Sequence, residues 1–174
     1  SIAMNKILAF LLLCVSFTAV AQEKKIFNDP NAKVRIISAP FTKISVSSGV
    51  DLYITQGTET ALAVSVSDEK YEDRFKTEIE DGVLKIYYDY KGINWVNDKK
   101  KKLKAYLSVK DIEKIKGSAG ANVSLTNELL AKDLELKFSS GSIFSGKVNV
   151  TNLKIDINSG AEITASGMTL KIIF

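Results

Sequence analysis

Ser118-Ala119-Gly120-Ala121, Ser139-Ser140-Gly141-Ser142 and Asn158-Ser159-Gly160-Ala161 repeat one small-small-Gly-small step, with glycines 21 and 19 residues apart. Ser47-Ser48-Gly49-Val50 carries the same step upstream. A chain that returns to such a step at that interval winds in coils and does not build a helix bundle. Ile44, Ile115, Leu136 and Ile155 stand five residues before the four glycines, and Val46, Gly117, Phe138 and Ile157 three before. Leu52, Val123, Phe144 and Ile163 stand three after, and Ile54, Leu125, Gly146 and Ala165 five after. Apolar positions at period two predict strands with one face buried. The columns therefore predict an all-β, solenoid-like chain with a corner at each glycine.

The corners follow from backbone geometry. Glycine takes unusual backbone angles without a Cβ penalty, and stacked rungs only about 4.8 Å apart require small neighbours. Stacking accounts for these steps; hydroxyls that bind sugar or ordered water are the second reading. Between the inward columns, Lys114, Glu135 and Lys154 align in one outward column and Lys116, Lys137 and Asp156 in another. Opposite charges are thereby expected to neighbour each other on adjacent rungs, each exposed pair contributing a few tenths of a kcal/mol.

The 71 residues between the first and second glycine exceed one coil. Ala61 to Val66 alternates as a strand, and Asp68 offers an N-cap for a short helix through Arg74. Thr77 to Glu80 and Val83 to Tyr88 flank Asp81-Gly82, a favoured hairpin turn, and Leu103 to Val109 alternates again. This block predicts an antiparallel or mixed sheet with one short helix, continuous with the coils.

A chain of 174 residues allows one domain, or two small ones sharing a sheet. Residues 1–21 read as a signal peptide preceded by a remnant, Ser1-Ile2-Ala3: Met4, a charge at Lys6, an apolar run from Ile7 to Val15, then Ala19-Val20-Ala21 before a cut at Gln22. Cys14, the single cysteine, falls inside that run, and Leu13 departs from the small residue a lipoprotein anchor wants. The mature chain is expected to be cysteine-free and to rely on its core in the bacterial envelope, with no disulfide framework. No later segment approaches the roughly 20 apolar residues of a membrane-spanning helix. The mature chain keeps the 20 acids and loses only Lys6 of 24 basic residues, leaving a net charge of about +3.

Lys99, Lys100, Lys101 and Lys102 concentrate positive charge after Asp98. Such a run is ordinarily a solvated loop; anionic glycan or lipid headgroup is the alternative, and export argues against nucleic acid. Tyr87 and Tyr88 read as packing residues at a strand end, and Trp95 as a loop residue able to meet a glycan. Histidine is absent, which excludes imidazole chemistry and histidine zinc sites. No phosphate-cradling loop, Gly-x-Ser-x-Gly elbow or calcium-binding repeat occurs. Asp51 and Glu162 share a column two residues after the glycine, but several rungs separate them, and glycoside hydrolysis wants carboxyls about 5 to 10 Å apart. No catalytic, cofactor or metal site is expected; polysaccharide cleavage is the least favoured reading.

Phe41-Thr42-Lys43-Ile44-Ser45-Val46-Ser47-Ser48-Gly49-Val50-Asp51-Leu52-Tyr53-Ile54-Thr55-Gln56-Gly57, then Asp81-Gly82-Val83-Leu84-Lys85-Ile86, then the steps at Gly120, Gly141 and Gly160, resemble the head GIN domain family. Its members are secreted bacterial proteins labelled auto-transporter adhesins, of undetermined function. The resemblance covers nearly all of the mature chain. It implies a right-handed, single-stranded β-helix-like solenoid over residues 22–174, with an N-terminal sheet region at 22–110 and Ser-Gly coils at 111–174. It implies no catalytic residues. The expected role is a non-enzymatic binding module, periplasmic, outer-surface or extracellular, whose partner is a surface glycan or an envelope protein. A structural protein associating through its coil ends is the alternative. Family members usually continue through further coils, whereas Met168 to Phe174 ends within an apolar strand, so a truncated, exposed edge able to self-associate is expected.

Overall fold

A computed structural model describes residues 28–93 and 98–174; the expected signal peptide and Trp95 lie outside the described residues. Strands β1 (Lys33–Arg35), β2 (Lys43–Val46), β3 (Asp51–Gln56) and β4 (Ala61–Val66) precede a short 3₁₀ helix, Glu69–Arg74. After it come β5 (Phe75–Glu80), β6 (Val83–Tyr88) and β7 (Leu103–Val109). The repeat region forms β8 (Lys114–Gly117), β9 (Asn122–Leu125), β10 (Leu129–Phe138), β11 (Ile143–Ile157) and β12 (Glu162–Ile173). Asp68 caps the helix, its side chain accepting the Lys70 N–H at 3.0 Å. Asp81 and Gly82, with φ of 51° and 74°, turn β5 into β6.

These strands make one sheet in the order β1-β4-β7-β3-β9-β11-β10-β8-β2-β6-β5, with β12 joined to β11. The sheet folds into two walls. One runs β5-β6-β2-β8-β10 and continues through residues 152–157 of β11 to residues 171–173 of β12; the other runs β1-β4-β7-β3-β9 and continues through residues 143–145 of β11 to residues 162–164 of β12. The two ends of the path approach each other at a seam. Arg35 Nη1 donates to the Phe75 carbonyl at 2.9 Å, and Lys33 pairs with Glu72 at 2.6 Å, so β1 is tied to β5 and the helix.

The result is all-β, with little helix, in a nearly closed barrel-like sheet. The rungs β2/β8/β10/β11 and β3/β9/β11/β12 pair in parallel, as the repeat predicts. The pairs β1/β4, β4/β7 and β5/β6 are antiparallel and close the sheet toward its seam. A single-stranded coil would lack those pairs. The antiparallel pairing within the middle block is as the sequence predicts; the near-closure of the sheet toward its seam is the difference, and it comes from long-range contacts of β1 that the local repeat does not carry.

Each corner is a tight turn with two left-handed residues. Ser48, Ala119, Ser140 and Ser159 have φ of 61°, 46°, 52° and 50°, and the following glycines 69° to 74°. Val50, Ala121, Ser142 and Ala161 donate their N–H back across the turn to the residue three before. Successive corners are also stitched together: Gly49, Gly120 and Gly141 donate to Ala119, Ser140 and Ser159 of the next rung at 2.9 to 3.1 Å. Ser142 is fully buried, and its hydroxyl donates to the Gly117 and Ser139 carbonyls.

The inward columns meet between the walls. Ile44, Ile115 and Leu136 are at most 1% exposed, as are Val46, Phe138, Leu52, Val123 and Phe144. Gly117 answers Phe138: a Cβ there would lie 2.4 Å from the phenyl ring, which packs on Phe144 at 5.5 Å. Gly146 gives way to Leu125 in the same manner, its Cβ falling 2.5 Å from that side chain. Small residues in one rung thus leave the volume that large ones in the next rung fill. At the other extreme β12 pairs only with β11 among the described strands, and Met168, Leu170 and Phe174 are exposed.

Outward, the charge ladder forms in part. Glu135 sits between Lys114 at 3.5 Å and Lys154 at 3.7 Å, and Lys137 reaches Asp156 at 3.9 Å. Register, however, sets Lys116 beside Lys137 and Lys43 beside Lys114, so like charges also adjoin.

Candidate functional site

The loop leading from β6 to β7 is anchored at both ends. Arg74 Nη1 donates to the carbonyls of Asp89 and Lys91 at 3.1 and 2.8 Å. At the other end the Ser67 hydroxyl donates to the Lys100 carbonyl and accepts the Lys102 N–H, both at 2.9 Å. Between them is an aromatic cluster: Tyr88 and Tyr90 lie 4.8 Å apart, and Tyr71 meets Tyr88 edge-on at 6.3 Å. Lys101 Nζ rests 4.2 Å from the Tyr88 ring and 4.1 Å from that of Tyr90, and donates to the Tyr90 hydroxyl.

Electrostatics reinforce this clasp. The Tyr71 hydroxyl donates to Asp98, which also accepts the Lys100 N–H at 3.1 Å. Those bonds hold the Asp98 carboxyl below its usual range, and the Asp98 bond raises the Tyr71 phenol. Burial pushes Tyr88 up. Lys101, one of the four lysines singled out by sequence, is therefore a packing residue whose charge is spent on two rings. Lys99, Lys100 and Lys102 project into solvent.

Asp51 and Glu162 do not form a catalytic pair. They share a row through Asn122 and Ile143 but stand three strand spacings apart, about 14 Å. That exceeds the separation of a glycosidase pair, and Asp51 Oδ1 instead accepts from Asn122 Nδ2 at 2.8 Å. Among the described residues no three Asp, Glu, Cys or His side chains gather as a metal site. A groove of about 570 Å³ beside β8 and β10 carries Lys43, Lys114 and Lys154 against Glu113, Asp133 and Glu135, charges that oppose one another.

One row escaped the sequence reading. Four residues after each corner glycine stand Tyr53, Ser124, Ser145 and Thr164, brought side by side across β3, β9, β11 and β12. On the other side of Tyr53 the row continues to Tyr106 of β7. The two rings stack at 5.4 Å with 17° between their planes. Tyr106 donates to Asp29 Oδ2 at 2.8 Å. Burial and then that bond raise the Tyr106 phenol to about 12, while the same bond lowers Asp29. The signal was present at the fourth position after each glycine, but Tyr106 lies outside the repeat.

The chain is thus a nearly closed, all-β barrel with parallel rungs, serine-glycine corners and polar outward rows. Residues 40–172 match the family described as "putative auto-transporter adhesin, head GIN domain", and the chain belongs to it. Solved structures share the fold at low identity. A putative adhesin of Bacteroides fragilis superposes with a TM-score of 0.67 at 17% identity, covering 81% of this chain and 65% of that one. One of Parabacteroides merdae gives 0.66 at 18%, covering 79% and 57%. A protein of Parabacteroides distasonis titled a putative lipid binding protein gives 0.56 at 18%, covering 81% and 68%. The chain thus spans roughly three-fifths to two-thirds of these proteins' length. No curated protein matches it.

Proposed function

We propose that this protein is a non-enzymatic binding module of the bacterial envelope, exported by the segment at 1–21, that holds a surface glycan or an envelope protein. The observation that carries this reading is the ordering of outward side chains in straight rows across parallel rungs, such as Lys114-Glu135-Lys154 and Tyr53-Ser124-Ser145. A repetitive surface suits a repetitive ligand. Membership of a family described as adhesins supports the same role. The loop with Trp95, Lys99, Lys100 and Lys102 is one place where such a ligand would touch. We read the rungs β8 to β12 as a right-handed, β-helix-like winding within residues 22–174, since parallel crossovers almost always take that hand.

A glycan array and a cell-binding assay on the full chain test the proposal. Retention on either is expected; silence on both contradicts it. A second reading, assembly through the β12 edge, draws on the exposure of Met168 and Leu170. Light scattering that gives a monomer at high concentration would count against it.

A further inference from the structure

We propose that the outward face of β3, β9 and β11 is a subsite for an uncharged pyranose, with the Tyr53 ring as its wall and Ser124 and Ser145 as its floor. The inference rests on the binding-module reading above and adds the place and the ligand chemistry. Coplanar rings lying side by side on a sheet cannot bring their centroids to 5.4 Å, so the stacked Tyr53 and Tyr106 rings stand up from the strands. Tyr106 covers the Tyr53 face toward β7. The opposite face looks along the row toward β9, where Ser124, then Ser145, then Thr164 follow. With rungs about 4.8 Å apart, the two serines open a ledge roughly 10 Å deep beside an aromatic wall. That space accepts one sugar ring with its C–H face on the tyrosine.

The polar groups around the ledge match hydroxyls and not a charge. The hydroxyls of Tyr53, Ser124 and Ser145 make no hydrogen bond among the described residues. At the near edge, Asp51 and Asn122 are linked at 2.8 Å, which orients a carboxylate and an amide beside the ledge. Asp51 keeps an oxygen able to accept from sugar hydroxyls. No lysine stands in the Tyr53 row beyond the ring; Lys147, two residues past Ser145, is paired with Glu128 at 3.1 Å, and Lys104 lies opposite Asp51 on β7, so a uronate or sulfate on the ledge would face Asp51 with no lysine in its own row. Stacking on an aromatic face together with fixed acceptors is a sound basis for weak, repeated recognition of a neutral polysaccharide.

Affinity electrophoresis of the full chain through gels containing dextran, galactomannan, mixed-linkage β-glucan, alginate or heparin tests the assignment. The wild type is expected to be retarded by at least one of the three neutral polymers. Tyr53→Ala should weaken that retardation by about tenfold. Ser124→Leu, which keeps the ring and fills the ledge, should do the same, and circular dichroism checks that both variants fold. Lys76→Ala, on β5 at the far end of the strand order, should leave it unaltered. Retardation by a neutral polymer that survives both Tyr53→Ala and Ser124→Leu would overturn the subsite and leave the binding-module reading standing. Retardation by alginate or heparin alone would overturn the neutral ligand in favour of the lysines. No retardation by any polymer would overturn the subsite, and with a silent cell-binding assay the wider reading as well.

Discussion

On the wall built from β8, β10 and β11, the outward rows run Lys114-Glu135-Lys154 and Lys116-Lys137-Asp156. On the wall built from β3, β9, β11 and β12, one row runs Tyr53-Ser124-Ser145-Thr164, and two stacked tyrosines open it. Behind both rows the inward columns are of one kind, apolar and almost wholly buried in the earlier rungs, whereas in the last rung Ile155 and Ile163 are half-buried and Ile157 and Ala165 exposed. The same rungs supply both walls, because each strand-corner-strand unit contributes one arm to each. The contrast shows that the interior sets the architecture while the outward positions are free to differ. The charged wall sets two acids among four lysines and stays net positive; the hydroxyl wall leaves an aromatic face and donors open.

The largest effect should come where the walls share their interior. Gly117→Val would drive a side chain into the Phe138 ring and should cost about 2 to 3 kcal/mol, read from urea unfolding. Gly146→Val, against Leu125, should act in the same direction. If either is tolerated, the interior is not packed as one unit. Next, Tyr53→Ala should lower stability by about 1 kcal/mol through loss of its stacking partner, while Lys137→Ala on the charged wall should stay within about 0.5 kcal/mol.

Alkaline pH sharpens the contrast from another side. The fold keeps the Tyr106 proton up to about 12, above the value of about 10 for an unfolded tyrosine. Its contribution is complete below pH 10 and is lost as pH rises toward 12. A thermal-unfolding series over that window should show a shallower decline for Tyr106→Phe than for wild type. An unchanged slope would place the alkaline sensitivity elsewhere. The smallest effect belongs to the like-charge neighbours: Lys116→Glu beside Lys137 should add a few tenths of a kcal/mol, and any loss would mean that Lys116 is not crowded by that charge.

Much of this was legible in the chain because repetition carries its own register. Aligning Gly49, Gly120, Gly141 and Gly160 was enough to find the inward columns, and the hairpin at Asp81-Gly82 and the cap at Asp68 announced themselves locally. The left-handed residue before each corner glycine was harder, since Ser48, Ala119, Ser140 and Ser159 have no side-chain feature that demands positive φ. Closure toward the seam depends on Arg35 reaching Phe75, forty residues on, which no local pattern encodes. The lysine run read as a solvated loop, with contact to an anionic glycan or headgroup as the alternative, yet Lys101 turned inward because Tyr88 and Tyr90 converge on it only in the folded loop. The tyrosine row was hidden for the same reason, as half of its wall is supplied by β7.

Hydrogen-exchange mapping of the full chain with the neutral polysaccharide that retards it most tests the division between the walls directly. Added protection should fall on β3, β9 and the first residues of β11, around Tyr53, Ser124 and Ser145, and leave residues 114–117 and 133–137 unchanged. Protection confined to the lysine loop or to the charged wall would contradict it.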